Sequence, residues 1–169
     1  MHGPHTDRKG DAEMEKRRIK VCFAASSGGH YEQLLMLRPL MERYDSFIVT
    51  ERTACSAEIP GIRTLYLQQV NRREPACLPR LAANTRQSLK ILREEQPDVV
   101  ISTGVLATIP LCLLAKLYGK QLIYIESFAK LHSPTRTGKL LYHFADRFYV
   151  QWESMLQVYP RARFLGSVY

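Results

Sequence analysis

The chain has 169 residues, of which 46% are hydrophobic, and it carries 24 basic against 16 acidic residues for a formal net charge of +8. That is enough for one domain with a full core, and it excludes a chain disordered throughout. The basic excess points to an anionic partner, whether nucleic acid, an anionic membrane surface or a phosphorylated substrate, without choosing among them.

Residues 1–18 are charged, contain His and Gly, and lack periodicity, so they read as a disordered polar tail with no secretory signal. Residues 19–169 read as one domain. Cys22, Cys55, Cys77 and Cys112 show no metal-ligand spacing. Cys22 and Cys112 lie in apolar runs and read as buried thiols in a reducing compartment. The apolar run Val105–Ala115 is interrupted by Pro110 and stopped by Lys116. It is far short of the ~20 residues a membrane-spanning helix needs.

Ile19–Ala25 predicts the first strand. It leads directly into Ser26-Ser27-Gly28-Gly29-His30, and a helical pattern follows over Tyr31–Met41, broken or kinked by Pro39. Strand, glycine turn, helix is the layout of a phosphate-binding loop, since glycine lets the backbone approach an anion and free N–H groups point at it. The same layout serves a tight turn without ligand. His30 is the side chain in this loop able to move a proton near neutral pH.

Phe47–Thr50 and Ile62–Leu67 predict the second and third strands, joined by a polar connection. A loop carrying Arg72 and Arg73 precedes a long helix over Leu78–Glu95. Leu78, Leu81, Ala82, Thr85, Leu89 and Leu92 fall on one face of it at helical spacing. Arg80, Arg86, Lys90 and Arg93 lie off that stripe, as a solvated face or as a basic surface on anionic lipid.

Val99–Ser102 predicts a fourth strand, running into a second small-residue turn, Ser102-Thr103-Gly104, and an apolar helix over Leu106–Tyr118 capped by Gly119. Gln121–Glu126 predicts a fifth strand finishing on a carboxylate, placed for chemistry or to cap the next loop. A helix over Thr137–Ala145, a strand over Arg147–Gln151, a short helix or turn over Trp152–Tyr159 and a last strand over Arg163–Gly166 complete the chain. Alternating short strands and helices predict an α/β, Rossmann-like parallel sheet with helices on both faces. The two small-residue turns then face one crevice.

Ser26-Ser27-Gly28-Gly29-His30 resembles the glycine loop of MurG-like GT-B glycosyltransferases. Further along stand Ser102-Thr103-Gly104, Ile125-Glu126-Ser127, Arg136-Thr137-Gly138-Lys139-Leu140-Leu141-Tyr142 and Ala145-Asp146-Arg147-Phe148. Gln151-Trp152, Tyr159-Pro160 and Leu165-Gly166 follow in the same order. This succession resembles one branch, the Alg-fourteen/PssD group of acceptor-side subunits of split glycosyltransferases.

The resemblance implies the N-terminal half of a GT-B enzyme. It implies an acceptor that is a polyprenyl-pyrophosphate-linked sugar at the cytoplasmic face of the inner (plasma) membrane, bound peripherally. It also implies inverting hexosyl transfer from a UDP-sugar, with the nucleotide-sugar half on a separate Alg-thirteen/PssE-like subunit, so that this chain binds no cofactor and is inactive alone. Eukaryotic members carry an N-terminal membrane anchor where this chain has a polar tail. That departure implies a bacterial, exopolysaccharide-type heterodimer with the donor sugar open. The alternative is a non-catalytic scaffold that recruits the catalytic subunit to the membrane.

Within that frame His30 is the candidate base and Glu126 its rival or an orienter of the acceptor sugar. Ser27, Gly28, Gly29, Ser102, Thr103 and Gly104 are candidates to hold the acceptor pyrophosphate. Arg72, Arg73, Arg136 and Lys139 are possible phosphate or lipid contacts. The apolar end with Phe164, Leu165, Val168 and Tyr169 is the expected contact with the donor-binding subunit. No metal is expected, since no Asp-x-Asp motif occurs. A nucleic-acid-binding domain is disfavoured because the basic residues are dispersed and no recognition motif appears. A dinucleotide oxidoreductase is disfavoured because the first turn lacks Gly-x-Gly-x-x-Gly.

Overall fold

A computed structural model describes residues 18–53 and 59–169. The expected polar tail, Arg18 apart, and Cys55 lie outside the described residues.

The apolar runs alternate with helices, and this pattern builds β1 (Lys20–Ala24), α1 (Gly29–Leu35), α2 (Arg38–Arg43), β2 (Asp45–Glu51) and β3 (Arg63–Leu67). Then come α3 (Cys77–Glu95), β4 (Val99–Ser102), α4 (Ile109–Leu117), β5 (Gln121–Ile125), α5 (Arg136–Leu141), β6 (Arg147–Val150) and β7 (Arg163–Phe164). Among the described residues the strands form one seven-stranded sheet in the order β3-β2-β1-β4-β5-β6-β7. Every pairing is parallel. The expected Rossmann-like sheet is present, and the order reverses between β1 and β4, where open α/β sheets leave a crevice.

Alternation along the strands divides the core. Cys22, Ala24, Phe47, Val49, Val100, Leu122 and Tyr124 pack under α3, α4 and α5. Val21, Phe23, Ala25, Ile48, Ile101 and Ile125 pack under α1 and α2. Cys22 and Cys112 are buried, free thiols, and burial raises both pKa values, that of Cys112 to about 12.

Three elements differ from the sequence reading. The helix expected over 31–41 is two short helices, because Pro39 lacks an N–H and can be accepted only in the first turn of a new helix. The helix expected over 106–118 opens as a 3-10 turn, Leu106–Thr108, with Pro110 in the first turn of α4. Most consequentially, α3 is turned. Its buried residues are Asn84, Ser88, Ile91, Leu92 and Glu95, while Leu78 is 75% exposed and Ala82 and Thr85 face out. Asn84 is tolerated inside because its amide pairs with the Gln68 backbone, accepting from N and donating to O at 2.8 Å each. Glu95 is tolerated because Lys20 and Arg63 converge on it.

Candidate functional site

The loops that leave the carboxyl ends of the strands enclose a cleft of about 710 Å³. From the first loop, Gly28 adopts φ 77° as the N-cap of α1, a conformation favouring glycine, and its carbonyl accepts from Tyr31 N and Glu32 N at 2.8 and 3.0 Å. Gly28 and Gly29 are exposed, and a Cβ on either would meet nothing within 4 Å. Behind this loop the buried Glu51 accepts from the Val70 amide at 3.1 Å and from the Ser27 amide, and burial raises its pKa. One carboxylate therefore ties the glycine loop to the loop carrying Arg72 and Arg73.

His30 follows at the start of α1 and lines the cleft. Its Nδ1 is sealed from solvent with no hydrogen-bond partner. Burial lowers its pKa, opposed by a hydrogen bond with the Thr103 backbone and by the charge of Glu126. The imidazole is thus neutral at physiological pH, the form that accepts a proton.

The second turn packs directly behind it. Ser102 and Thr103 are fully buried and their hydroxyls are engaged within the fold. Ser102 Oγ accepts from Gly104 N at 3.2 Å, and Thr103 Oγ1 donates to the His30 carbonyl at 2.9 Å. Gly104, at φ 113°, cannot be replaced without collision, because a Cβ would stand 2.8 Å from the Tyr124 hydroxyl and 3.7 Å from His30 Cε1. Val105 follows at φ 106°, ψ 151°, a region essentially reserved for glycine, and its side chain lines the cleft.

The opposite walls are cationic. Arg72 and Arg73 come from the loop after β3, and Lys130 and Arg136 from the segment after β5. Among the described residues no carboxylate lines the cleft, and none of the four cations forms an ion pair. The Tyr124 hydroxyl, kept protonated because burial raises its pKa, stands between His30 and Thr135. Such a cleft can bind a phosphate-bearing ligand by charge and take a proton from it at one point.

Glu126 lies behind this wall. It is 1% exposed. Its carboxylate accepts from Thr135 Oγ1 at 2.8 Å, Ser127 N at 2.9 Å and Tyr159 OH at 2.7 Å. Gly138 is fitted to this cluster, since a Cβ there would run into Glu126 Oε2 and lie 2.7 and 2.8 Å from the Tyr159 and Thr135 hydroxyls. Of the two roles read from sequence, the geometry gives Glu126 the loop-capping one.

His30, Arg72, Arg73 and Arg136 therefore share one cleft. Lys139 is exposed away from it. Phe164, Leu165 and Tyr169 are 38%, 80% and 57% exposed, and Val168 is tied by its N–H to Gln151 Oε1 at 3.1 Å. Sequence reasoning missed Lys130, Tyr124, Val105 and Glu51. Lys130 sits in an irregular loop that offers no pattern, whereas Glu51, a carboxylate closing an apolar strand, was detectable. No helix among the described residues is long and apolar enough to cross a membrane, and none of their His, Cys, Asp and Glu residues cluster as a metal site would.

Residues 69–168 match the model of the family described as "Oligosaccharide biosynthesis protein Alg14 like". Among curated relatives, the UDP-N-acetylglucosamine transferase subunit ALG14 of Homo sapiens is 32% identical over 179 residues, covering 89% of this chain and 83% of that protein. The corresponding subunit of Schizosaccharomyces pombe is 42% identical over 77 residues, covering 43% of this chain and 37% of its relative. Among solved structures, MurG of Acinetobacter baumannii superposes with a TM-score of 0.67 at 17% identity, over 80% of this chain and 42% of that one. The UDP-GlcNAc 2-epimerase of Methanocaldococcus jannaschii gives 0.67 at 16% identity, over 85% and 42%. These likenesses show the fold, and the chain spans less than half the length of the solved structures it matches.

Proposed function

The chain belongs to the Alg14-like family of oligosaccharide biosynthesis proteins, and from that premise we propose that it is the acceptor-binding subunit of a two-component inverting glycosyltransferase. The pair transfers a sugar from a UDP-sugar to a polyprenyl-pyrophosphate-linked sugar at the cytoplasmic membrane face. The names of the relatives favour N-acetylglucosamine as the donor sugar, and the family's description favours an oligosaccharide rather than an exopolysaccharide as the product. The donor half is a separate subunit, and the exposed Phe164, Leu165 and Tyr169 face it. Neither chain is active alone.

The observation that carries this reading is the cleft itself, with a neutral imidazole at one point and four cations without lining carboxylates around it. The acceptor pyrophosphate lies against Arg72, Arg73, Lys130 and Arg136, with the Gly28–Gly29 backbone at its edge. The acceptor hydroxyl oxygen attacks the anomeric carbon as the bond to UDP breaks with inversion. UDP leaves with the electron pair, and His30 takes the hydroxyl proton.

The outward stripe of α3 supports membrane association. Leu78 is 75% exposed on the helix that follows the Arg72–Arg73 loop, Leu131 is 44% exposed next to Lys130 in sequence, and Arg86, Lys90 and Arg93 follow along the helix. Apolar anchors ringed by cations suit an anionic lipid surface that presents a lipid-linked acceptor.

The test is to co-express the chain with its donor-binding partner and assay transfer from UDP-N-acetylglucosamine to a polyprenyl-pyrophosphate sugar in membranes. Transfer by the pair alone, lost on His30→Ala, is the expected result. Full activity of His30→Ala establishes the scaffold reading instead. Transfer by this chain alone would overturn the two-subunit assignment.

A further inference from the structure

Two buried glutamines converge on one backbone carbonyl. Gln33, 2% exposed, donates from Nε2 to the Glu126 carbonyl at 3.1 Å, and Gln151, 3% exposed, donates to the same oxygen at 3.0 Å. Gln33 also uses its other end, since its Oε1 accepts from Phe128 N at 3.0 Å. A primary amide can do both without titrating, because it pairs a donor and an acceptor on one planar group. Gln33 lies one turn beyond His30 on α1, so its grip spans from the helix of the imidazole to the segment that follows β5. That segment is anchored further on by Glu126, whose carboxylate holds Thr135, the N-cap of α5, just before Arg136.

We propose that Gln33 is a positioning residue that sets the gap between His30 and the cationic wall formed by Lys130 and Arg136. It touches no ligand and acts through the two elements it joins. The inference rests on the proposed function for its kinetic consequence, but its structural content stands apart from it. The groups around the imidazole are Arg72 and Arg73 from the loop after β3, Tyr124 and Glu126 from β5 and its end, and Lys130 and Arg136 from the segment beyond. Without Gln33, Gln151 still holds the Glu126 carbonyl and Trp152 the Phe128 carbonyl, but the tie to the helix of His30 is gone, so the start of segment 127–137 loosens, the gap widens and more water reaches His30.

The test uses Gln33→Met, which keeps the volume without hydrogen bonds, in the complex with the donor-binding partner. Gln33→Glu, which keeps the acceptor and loses the donor, is the second variant should the first not fold. Both are read by the NMR titration of His30 and by amide hydrogen exchange of residues 127–137. The expected result is a His30 titration that climbs back toward about 6.5, faster exchange confined to that segment, and unchanged exchange in α3. In sugar transfer kcat falls by up to about 10²-fold, as a misplacement of about 1 Å can produce, while the KM for the donor is unchanged. A titration and exchange pattern identical to wild type overturns the proposal, as does faster exchange with the His30 titration unmoved. If the wild-type complex transfers no sugar while the variants still shift both readouts, the positioning role holds and the proposed function falls.

Discussion

The sheet carries a cleft at each end, and they are similar in size but opposite in electrostatic design. The one at the amino ends of the strands, about 580 Å³, mixes Arg18 and Lys20 with Glu42 and Asp45. Its neighbourhood is paired, with Lys20 and Arg63 on Glu95 and, farther along, Lys116 on Asp146 at 2.7 Å. The one at the carboxyl ends gathers Arg72, Arg73, Lys130 and Arg136 without a lining carboxylate. Volume alone does not separate them. A cation with an internal partner has its charge answered by the fold, whereas four cations left unanswered around a cavity raise a local potential that favours an external anion. Four of the chain's basic residues are thus gathered, without lining carboxylates, at one end of the sheet.

The largest expected effect comes from removing the proton acceptor at the cationic end. His30→Ala should lower kcat of the complex by about 10²–10⁴-fold, the usual contribution of a positioned base. The pH profile sharpens this. Burial lowers the His30 pKa, so the neutral form persists below the ordinary value, and the rising limb of kcat/KM should fall below about pH 6.5 and vanish in the variant. A rising limb that survives in His30→Ala would assign the base elsewhere. Next in size, the double substitution Arg72→Ala with Arg136→Ala should raise the acceptor KM by about 10–100-fold, on the order of 1.4 kcal/mol per tenfold, and leave the donor KM alone. An equal loss for both substrates would mean that the cations shape the fold rather than hold the acceptor.

A smaller effect lies on α3. Leu78→Asp places a charge on the exposed stripe and should weaken sedimentation with anionic vesicles by roughly tenfold, since burial of a leucine in an apolar phase contributes about 1.5–3 kcal/mol. Secondary structure and thermal stability should be nearly unchanged because the side chain is mostly in solvent. Unaltered binding by Leu78→Asp would move the membrane surface to another face.

That helix also marks where sequence reading stops. The strands, the two small-residue turns and the crevice are all legible, because short apolar runs between helical patterns leave few ways to fold. The face of α3 is not. Leu78, Leu81, Ala82 and Thr85 repeat at helical spacing and read as core, yet the core side is taken by Asn84, Ser88 and Glu95 with Ile91 and Leu92. Periodicity measures apolarity, whereas a buried polar group is decided by a partner distant in sequence, here the Gln68 backbone for Asn84 and Lys20 with Arg63 for Glu95. The site divides in the same way. His30, Arg72, Arg73 and Arg136 are visible as residue types in the right loops, but Gln33 and Lys130 carry no local signal. Ser102 and Thr103 resemble ligand-binding residues and turn out to be buried, with their hydroxyls spent on Gly104 and on the His30 carbonyl.

The smallest expected effect tests the paired end. Glu95→Gln keeps the volume and removes the charge that Lys20 and Arg63 share. It should lower stability by about 1.5–3 kcal/mol, the range for hydrogen bonds to charged groups, and toward the low end because Arg63 is largely exposed and screened by water. Sugar transfer should be unaffected. The sign with pH follows from the direction of the shift. Burial pushes the Glu95 carboxyl up, but Lys20 and Arg63 outweigh it and hold the pKa below the ordinary carboxylate range. A depressed folded pKa contributes stability that is fully present above the unfolded value, about 4.3, and is lost as pH falls through the folded one. Wild type and Glu95→Gln should thus differ in urea midpoint at pH 7 and converge below about pH 4. If the gap persists into acid, Glu95 acts through packing rather than charge, and the contrast between a self-neutralised end and an anion-seeking one loses half its basis.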